Sequence, residues 1–323
     1  MRVVRRILAV FLASVAGIAQ AQQPSQEDLE NCKRIEDREE RLKCFDALVA
    51  ERKLSLIGER WGIDTPDRDT RFDFRPHKAN YLLAARYSDE PNTLPASPTK
   101  QPLAAPLAID RTELKFQISF KVKVADFEHL VDGVPPAALW VAYTQQSHWQ
   151  IYNAQVSRPF RETNYEPEAM LAFFPDRSAL GWRWRLAALG LDHQSNGQSD
   201  PLSRSWNRVY LLFGIERDNL ALLVRPWLRL KEQYSKDDNP DITKYLGYGD
   251  ITVVYAADGH TLSLIGRYNA GTNKGALQGA WNFPLVRRVR GYVQVFSGYG
   301  ESLIDYNWRQ TTIGVGVSLS DAL

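Results

Sequence analysis

From residue 113 to residue 124, ELKFQISFKVKV, every even position is apolar (Leu114, Phe116, Ile118, Phe120, Val122, Val124) and every odd one is polar (Glu113, Lys115, Gln117, Ser119, Lys121, Lys123). Successive side chains of a strand point to opposite faces, so this spacing predicts a strand with one apolar and one polar face. Comparable runs recur at 80–87, 138–149, 168–174, 182–193, 207–215 and 220–231, with weaker ones at 251–255, 261–268, 276–283, 291–296 and 311–319. Turn formers separate most of them, including Asp258-Gly259 and Asn273-Lys274-Gly275. An even set of twelve alternating segments, roughly ten residues each, is what a transmembrane β-barrel requires. A soluble β-sandwich alternates in the same way. The aromatic residues near the segment ends (Tyr87, Trp140, Trp149, Trp182, Trp184, Trp206, Tyr210, Trp227, Tyr268, Trp281, Tyr292) tip the reading to the barrel, because a membrane interface favours such girdles.

Ahead of the alternating region the period changes. Residues 25–56 are rich in helix formers, with Leu29, Cys32, Ile35, Leu42, Phe45 and Leu48 recurring at helical spacing and Ser25 placed to cap the start. The first residues, MRVVRRILAVFLASVAGIAQA, have a basic start, an apolar run and the small-x-small site Ala19-Gln20-Ala21. That is a secretory signal peptide cut after Ala21, which puts the mature chain outside the cytoplasm. The two cysteines, Cys32 and Cys44, are then expected to pair. On one straight helix they would lie roughly 18 Å apart, too far to bridge, so the chain must fold back between them. The expected organisation is a signal peptide (1–21), a periplasmic stapled helical extension (22–57), a linker (58–75) and an all-β, twelve-stranded antiparallel barrel (76–323).

Composition then narrows the function. No apolar run after the leader is long enough to span a bilayer as a helix. With Lys+Arg 40 against Asp+Glu 38, the chain has no electrostatic footprint for nucleic acid.

The stretch 189–213, LGLDHQSNGQSDPLSRSWNRVYLLF, carries the candidate chemistry. His193 and Ser195 are two residues apart and project to one face of a strand. Asn196, Gly197, Ser199, Asp200 and Pro201 reverse the chain, and a turn centred near Asp200 puts Ser195 across from Ser205 and His193 across from Asn207. Nucleophile, base and orienter are then available as Ser195, His193 and Asn207. An amide orienter adds no negative charge to steady the imidazolium, so another electrophile should assist. On the next strand the odd positions Val209, Leu211, Phe213 and Ile215 are apolar, as are Leu189 and Leu191. The odd face therefore meets lipid and carries His193 and Asn207. Arg183 and Arg185 break that parity and are expected to snorkel at the interface. A catalytic group on the outer wall near the rim meets only molecules dissolved in the bilayer, which implies a lipid substrate.

At these residues the sequence resembles bacterial outer membrane phospholipase A. The resemblance runs from about Asn80 to the end, densest in YTQQSHWQ (143–150), SRPFRETNYEP (157–167), HQSNGQSDPLSRSWNR (193–208), DDNPDITKYLGY (237–248) and SGYGESLIDYN (297–307). It implies hydrolysis of phospholipid acyl esters at either glycerol position, and of lysophospholipids, with His193 as base, Ser195 as nucleophile and Asn207 as orienter. It further implies calcium as the missing electrophile. The family's ligand positions match Ser203, the main-chain carbonyl of Gln198 and, from a neighbouring protomer, Ser157; Asp238 matches a further calcium-associated acid and Asp200 lies close by. Gln198 stands where arginine is familiar, a change that main-chain ligation tolerates. The backbone N–H groups of Gly197 and Ser195 are the expected oxyanion donors. The resemblance also implies a homodimer that completes the site, with Gln145 at the interface. That fits an amide in the otherwise lipid-facing run Leu139, Val141, Tyr143, where it is costly without a partner.

Other polar residues are expected to be non-catalytic: His148 points inward by parity, His77, His129 and His260 fall in loops or strand ends, and Glu162, Asn164 and Glu166 serve turn or lumen hydrogen bonding. The chain ends in Leu323, where barrel-assembly signals prefer Phe. The competing function is a non-catalytic outer-membrane barrel, a channel or structural protein. Intact His193, Ser195 and Asn207 favour the enzyme.

Overall fold

The computed structural model describes residues 26–50, 55–64, 71–128, 134–286 and 289–320. The leader (1–21), Ser25, His129 and Leu323 lie outside the described residues. The strands are, in chain order, β1 (Phe74–Pro76), β2 (Asn80–Ser88), β3 (Thr112–Phe127), β4 (Ala137–Trp149), β5 (Phe160–Phe173), β6 (Arg177–Ala179), β7 (Trp182–Ser195), β8 (Ser205–Arg217), β9 (Leu220–Leu230), β10 (Gly249–Ala257), β11 (His260–Asn269), β12 (Lys274–Val286), β13 (Val289–Tyr299) and β14 (Arg309–Ser320). Leaving out the short β1 and β6, twelve of them pair antiparallel with both neighbours, and β14 meets β2 to close the ring. Closure removes the unpaired edge that hydrocarbon would not tolerate. β1 and β6 are three-residue strands that pair with β3 and β7.

Each of the twelve expected segments falls on a strand. The largest difference is β5, which begins at Phe160 rather than Glu168. Its first half, FRETNYEP, lacks an apolar alternation because its inward side chains Glu162, Asn164 and Glu166 serve a polar interior and Pro167 sits on the outward side.

The barrel is inverted relative to a soluble protein. On β3 the even positions form the outer wall, and the odd ones, including Lys115 (0 % exposed) and Lys121 (1 %), fill the lumen. Charges so deeply buried require partners. Lys115 pairs with Glu301 at 3.0 Å; Glu113 receives Arg86, Arg161 and the His148 ring at 2.9, 3.0 and 2.7 Å; Arg225 pairs with Asp250 at 2.6 Å. His148 is thus a lumen residue, as its parity indicated, and Glu162 and Asn164 accept from the Ile304 and Leu303 N–H groups.

Part of the expected aromatic girdle is elsewhere. Tyr87, Tyr268 and Trp281 are exposed on the outer wall, whereas Trp140, Trp206, Tyr210, Trp227 and Tyr292 are buried inside. A small barrel must fill its own interior, and these rings do so by stacking on cations: the Arg208 guanidinium lies 4.1 Å from the Trp206 ring and 5.4 Å from that of Trp227.

The N-terminal helices are α1 (Gln26–Lys33), α2 (Arg38–Ala50) and α3 (Leu56–Trp61). α1 and α2 fold back on each other and Cys32 is bonded to Cys44, with Cα atoms 5.6 Å apart. Asp37 caps α2, its carboxylate accepting from the Glu39 and Glu40 N–H groups at 2.9 Å.

α3 occupies part of the stretch expected to be linker. Ile57 and Trp61 pack on the lumen-facing side chains of Trp140, Met170, Leu186, Ala188 and Ala221. The Ile57 N–H donates to Glu216 at 3.0 Å, and the Lys121 ammonium lies 3.3 Å from the Trp61 ring centre. Its apolar residues are too few to give a helical stripe, because the partner surface is the inside of a barrel. Arg185 belongs to the same arrangement. A bulge between Trp184 and Leu186 shifts the alternation of β7, so Arg183 and Arg185 do not snorkel; Arg185 is buried and pairs with Asp176 (2.8 Å) and Asp64.

Candidate active site

The long connections, 89–111, 150–159, 196–204, 231–248 and 300–308, all leave from one rim. At that rim β7 and β8 have the register the turn chemistry indicated: Ser195 opposes Ser205 and His193 opposes Asn207. The buried residues of β8 are Trp206, Arg208, Tyr210, Gly214 and Glu216, so the even side faces the lumen and Asn207 faces out with Val209 and Leu211. On β7 Asp192 is buried while Leu191 and His193 are exposed.

His193 Nδ1 lies 2.8 Å from Asn207 Oδ1. An amide oxygen only accepts, so Nδ1 is the donor in this contact, and in the neutral ring Nε2 keeps its lone pair. Ser195 Oγ, two residues along on the same face, is hydrogen-bonded to neither of them. On the other side of β7, Tyr165 of β5 pairs with Ser195, and the ladder resumes only at Glu168 and Asp192. The gap falls where Pro167 has no N–H to donate.

The loop 196–204 is shaped by Asn196, which the sequence marked only as a turn former. This buried side chain accepts from the Arg204 N–H at 2.9 Å and donates to the Leu202 carbonyl at 2.8 Å, while its own N–H donates to the Arg204 carbonyl. Gly197 follows with φ +62°, and a Cβ there would stand 3.2 Å from the Tyr165 ring. The Gln198 side chain turns away, donating to Glu162 and to the Arg161 carbonyl at 2.8 and 3.1 Å.

Of the expected metal ligands, the structure gathers three. Ser203 Oγ donates to Asp238 Oδ2 at 2.7 Å, and Ser205 Oγ donates to the same oxygen at 3.3 Å. The ammonium of Lys100, from the first long loop, bridges Asp200 (2.5 Å) and Asp238 (2.7 Å). Burial pushes the Asp238 carboxyl up, but the hydrogen bonds from Lys100 and Ser203 outweigh it and hold the group below its ordinary value. Burial likewise disfavours the Lys100 ammonium, and the two carboxylates outweigh that. A cation held by carboxylate oxygens beside a serine hydroxyl is an arrangement that also suits a hard dication. Ser157 lies apart from this group, after the turn 154–156, with φ +61°.

Glu166, Glu168 and Asp192 also come together in the lumen, but Lys78 and Arg208 neutralise them, with Lys78 2.7 Å from Glu166 and Arg208 2.5 Å from Asp192. Those carboxylates lie inside the barrel, away from the outward face that carries His193 and Asn207. Gln145 faces out, accepting from the Tyr143 hydroxyl at 3.2 Å and donating to Ser147 Oγ at 3.4 Å. The register shift of β4 lies beyond it, between His148 and Trp149.

Comparison with known proteins places the fold in a family. The family model for phospholipase A1 matches residues 57–319. A putative phospholipase A1 of Neisseria meningitidis serogroup B is 42% identical over 277 residues, covering 83% of this chain and 70% of its own. Phospholipase A1 of Escherichia coli (strain K12) is 42% identical over 257 residues, covering 79% and 84%. Among solved structures, a calcium-bound dimer of Salmonella typhi outer membrane phospholipase is 39% identical with a TM-score of 0.70, covering 79% of this chain and 95% of that one. The chain belongs to the phospholipase A1 family and is an outer-membrane β-barrel enzyme that hydrolyses phospholipids.

Proposed function

We propose that this chain hydrolyses the acyl esters of phospholipids and lysophospholipids, at both sn-1 and sn-2, as a calcium-dependent homodimer whose catalytic residues are Ser195, His193 and Asn207. The observation that carries the reading is the 2.8 Å contact between His193 Nδ1 and Asn207 Oδ1 on the outward face, two residues from Ser195.

Held by Asn207, His193 takes the Ser195 hydroxyl proton at Nε2 as Oγ attacks the ester carbonyl. The Gly197 and Ser195 N–H groups donate to the oxygen that becomes negative. His193 then returns the proton to the departing glycerol oxygen, leaving an acyl-serine. Water, deprotonated by the same Nε2, releases the fatty acid. Such hydrogen bonds often tighten only when substrate arrives, so the unjoined Ser195 hydroxyl is compatible with this sequence.

The residues fit calcium, with the Lys100 ammonium as the stand-in cation between Asp200 and Asp238. Ser203, the Gln198 carbonyl and Ser157 of a second copy would hold the ion at the reacting ester, with Asp200 and Asp238 nearby. Bound there, it supplies positive charge to polarise the ester carbonyl. Gln145 would lie between protomers, where a partner meets the amide that lipid does not.

Ser195→Ala, assayed in detergent micelles with calcium, is expected to lose hydrolysis; equal turnover by both forms would reject the mechanism. Crosslinking should capture dimers with calcium and a substrate analogue, and full activity in an isolated monomer would contradict dimer activation. The channel reading is disfavoured by the lumen, which ion pairs, aromatic rings and α3 fill.

A further inference from the structure

A Ser-His-Asn arrangement lacks the negative charge that an aspartate would place behind the imidazole, and its amide can be turned either way. The structure contains a group that answers both needs. β9 runs alongside β8, with Leu230 opposite Asn207. Its even positions face outward, Leu228 and Leu230 being 47% and 46% exposed. Glu232 follows at that parity, just beyond the end of the strand, and is exposed. It places a carboxylate at the end of the outward row. Glu232 Oε1 accepts from Asn207 Nδ2 at 3.1 Å.

We propose that Glu232 is a positioning residue for the triad, acting through Asn207. A carboxylate accepts and does not donate, so it selects the amide orientation with Nδ2 toward Glu232 and Oδ1 toward the ring. That orientation in turn requires the proton on Nδ1 of His193 and leaves Nε2 free for the serine. The carboxylate also sits one side chain behind the imidazole, where its charge favours the imidazolium formed as Ser195 attacks. The chain therefore reads Ser195, His193, Asn207, Glu232, with the amide relaying orientation between base and anion. The proposal rests on the triad reading.

The test uses the full-length protein with calcium in detergent micelles. Glu232→Ala is expected to lower kcat three- to tenfold and leave KM unchanged. Glu232→Gln keeps an acceptor oxygen in place and should recover part of that loss. In an Asn207→Ala background, Glu232→Ala should add no further loss. Wild-type kcat in Glu232→Ala, a raised KM at unchanged kcat, or the same fractional loss with and without Asn207 would each overturn the role. Nitrogen-15 NMR of labelled histidine gives a readout independent of turnover: His193 should be protonated at Nδ1 in the wild type and mixed between tautomers in Glu232→Ala, and identical spectra would count against the proposal. Hydrolysis surviving in Ser195→Ala would remove the triad itself and this role with it. A triad that is required while Glu232 is indifferent removes the role alone.

Discussion

Gly197 shows how little freedom the site leaves to a single residue. Its φ of +62° belongs to the region where an L-side chain is strained by roughly 1–2 kcal/mol, and the added methyl would press on the Tyr165 ring beside Ser195. Gly197→Ala is therefore expected to reduce kcat about tenfold or more with little change in KM, because the N–H proposed to face the oxyanion moves while the apolar wall does not. Steady-state kinetics on dispersed phospholipid measure this, and a loss confined to KM would show that the loop binds rather than stabilises. At this scale the sequence was legible wherever the relation was local. The His193 to Asn207 register followed from two alternating strands and a turn centred on Asp200. Lys100 and Glu232 were not legible, since they reach Asp200 and Asn207 from other connections, separated along the chain by 100 and 25 residues. No spacing rule links such positions.

Among the elements, the strands were readable because their outer faces must be apolar, and that constraint is what alternation records. The start of β5 was not, because a Pro and a row of lumen carboxylates conceal the period there. The inward turn of Arg185 depends on a bulge that no pattern of residue types announces. The first long loop gives an element-scale prediction. Ser97 and Thr99 donate to the Asp238 and Asp237 carbonyls at 2.5 Å, and Lys100 pins the neighbouring carboxylates. Lys100→Met leaves Asp200 and Asp238 facing each other without a cation, so limited proteolysis should nick residues 89–111 several times faster in chelator than in calcium. Equal cleavage rates in both conditions would show that calcium does not take the place of the Lys100 ammonium between Asp200 and Asp238.

For the molecule as a whole, the question is what the barrel encloses and what it meets. Among the described residues α3 and ion-paired side chains occupy the lumen, so the reconstituted protein is expected to pass no steady current across a planar bilayer. Ile57→Asp buries an unpaired carboxylate in an apolar cluster, at a cost of several kcal/mol, and should release α3 and give discrete openings. Steady conductance in the wild type would contradict the filled interior. On the outside, Gln145→Leu removes an amide from the lipid-facing wall. If that amide joins two copies, dimerisation should weaken by on the order of 1 kcal/mol per copy, measured by sedimentation in detergent; an unchanged dimer would place the contact elsewhere.

The alternation of β7 has a last consequence, for the journey the polypeptide makes before it arrives. Because His193 and Ser195 share one side of a ribbon, sliding that ribbon by a single position would turn both into the interior. Only a completed ring, with β5 and β8 holding β7 from either side, fixes its pitch. Until β5 and β8 flank it, nothing fixes the side of β7 on which His193 and Ser195 lie, so the proposed active site is expected to form only with the completed barrel.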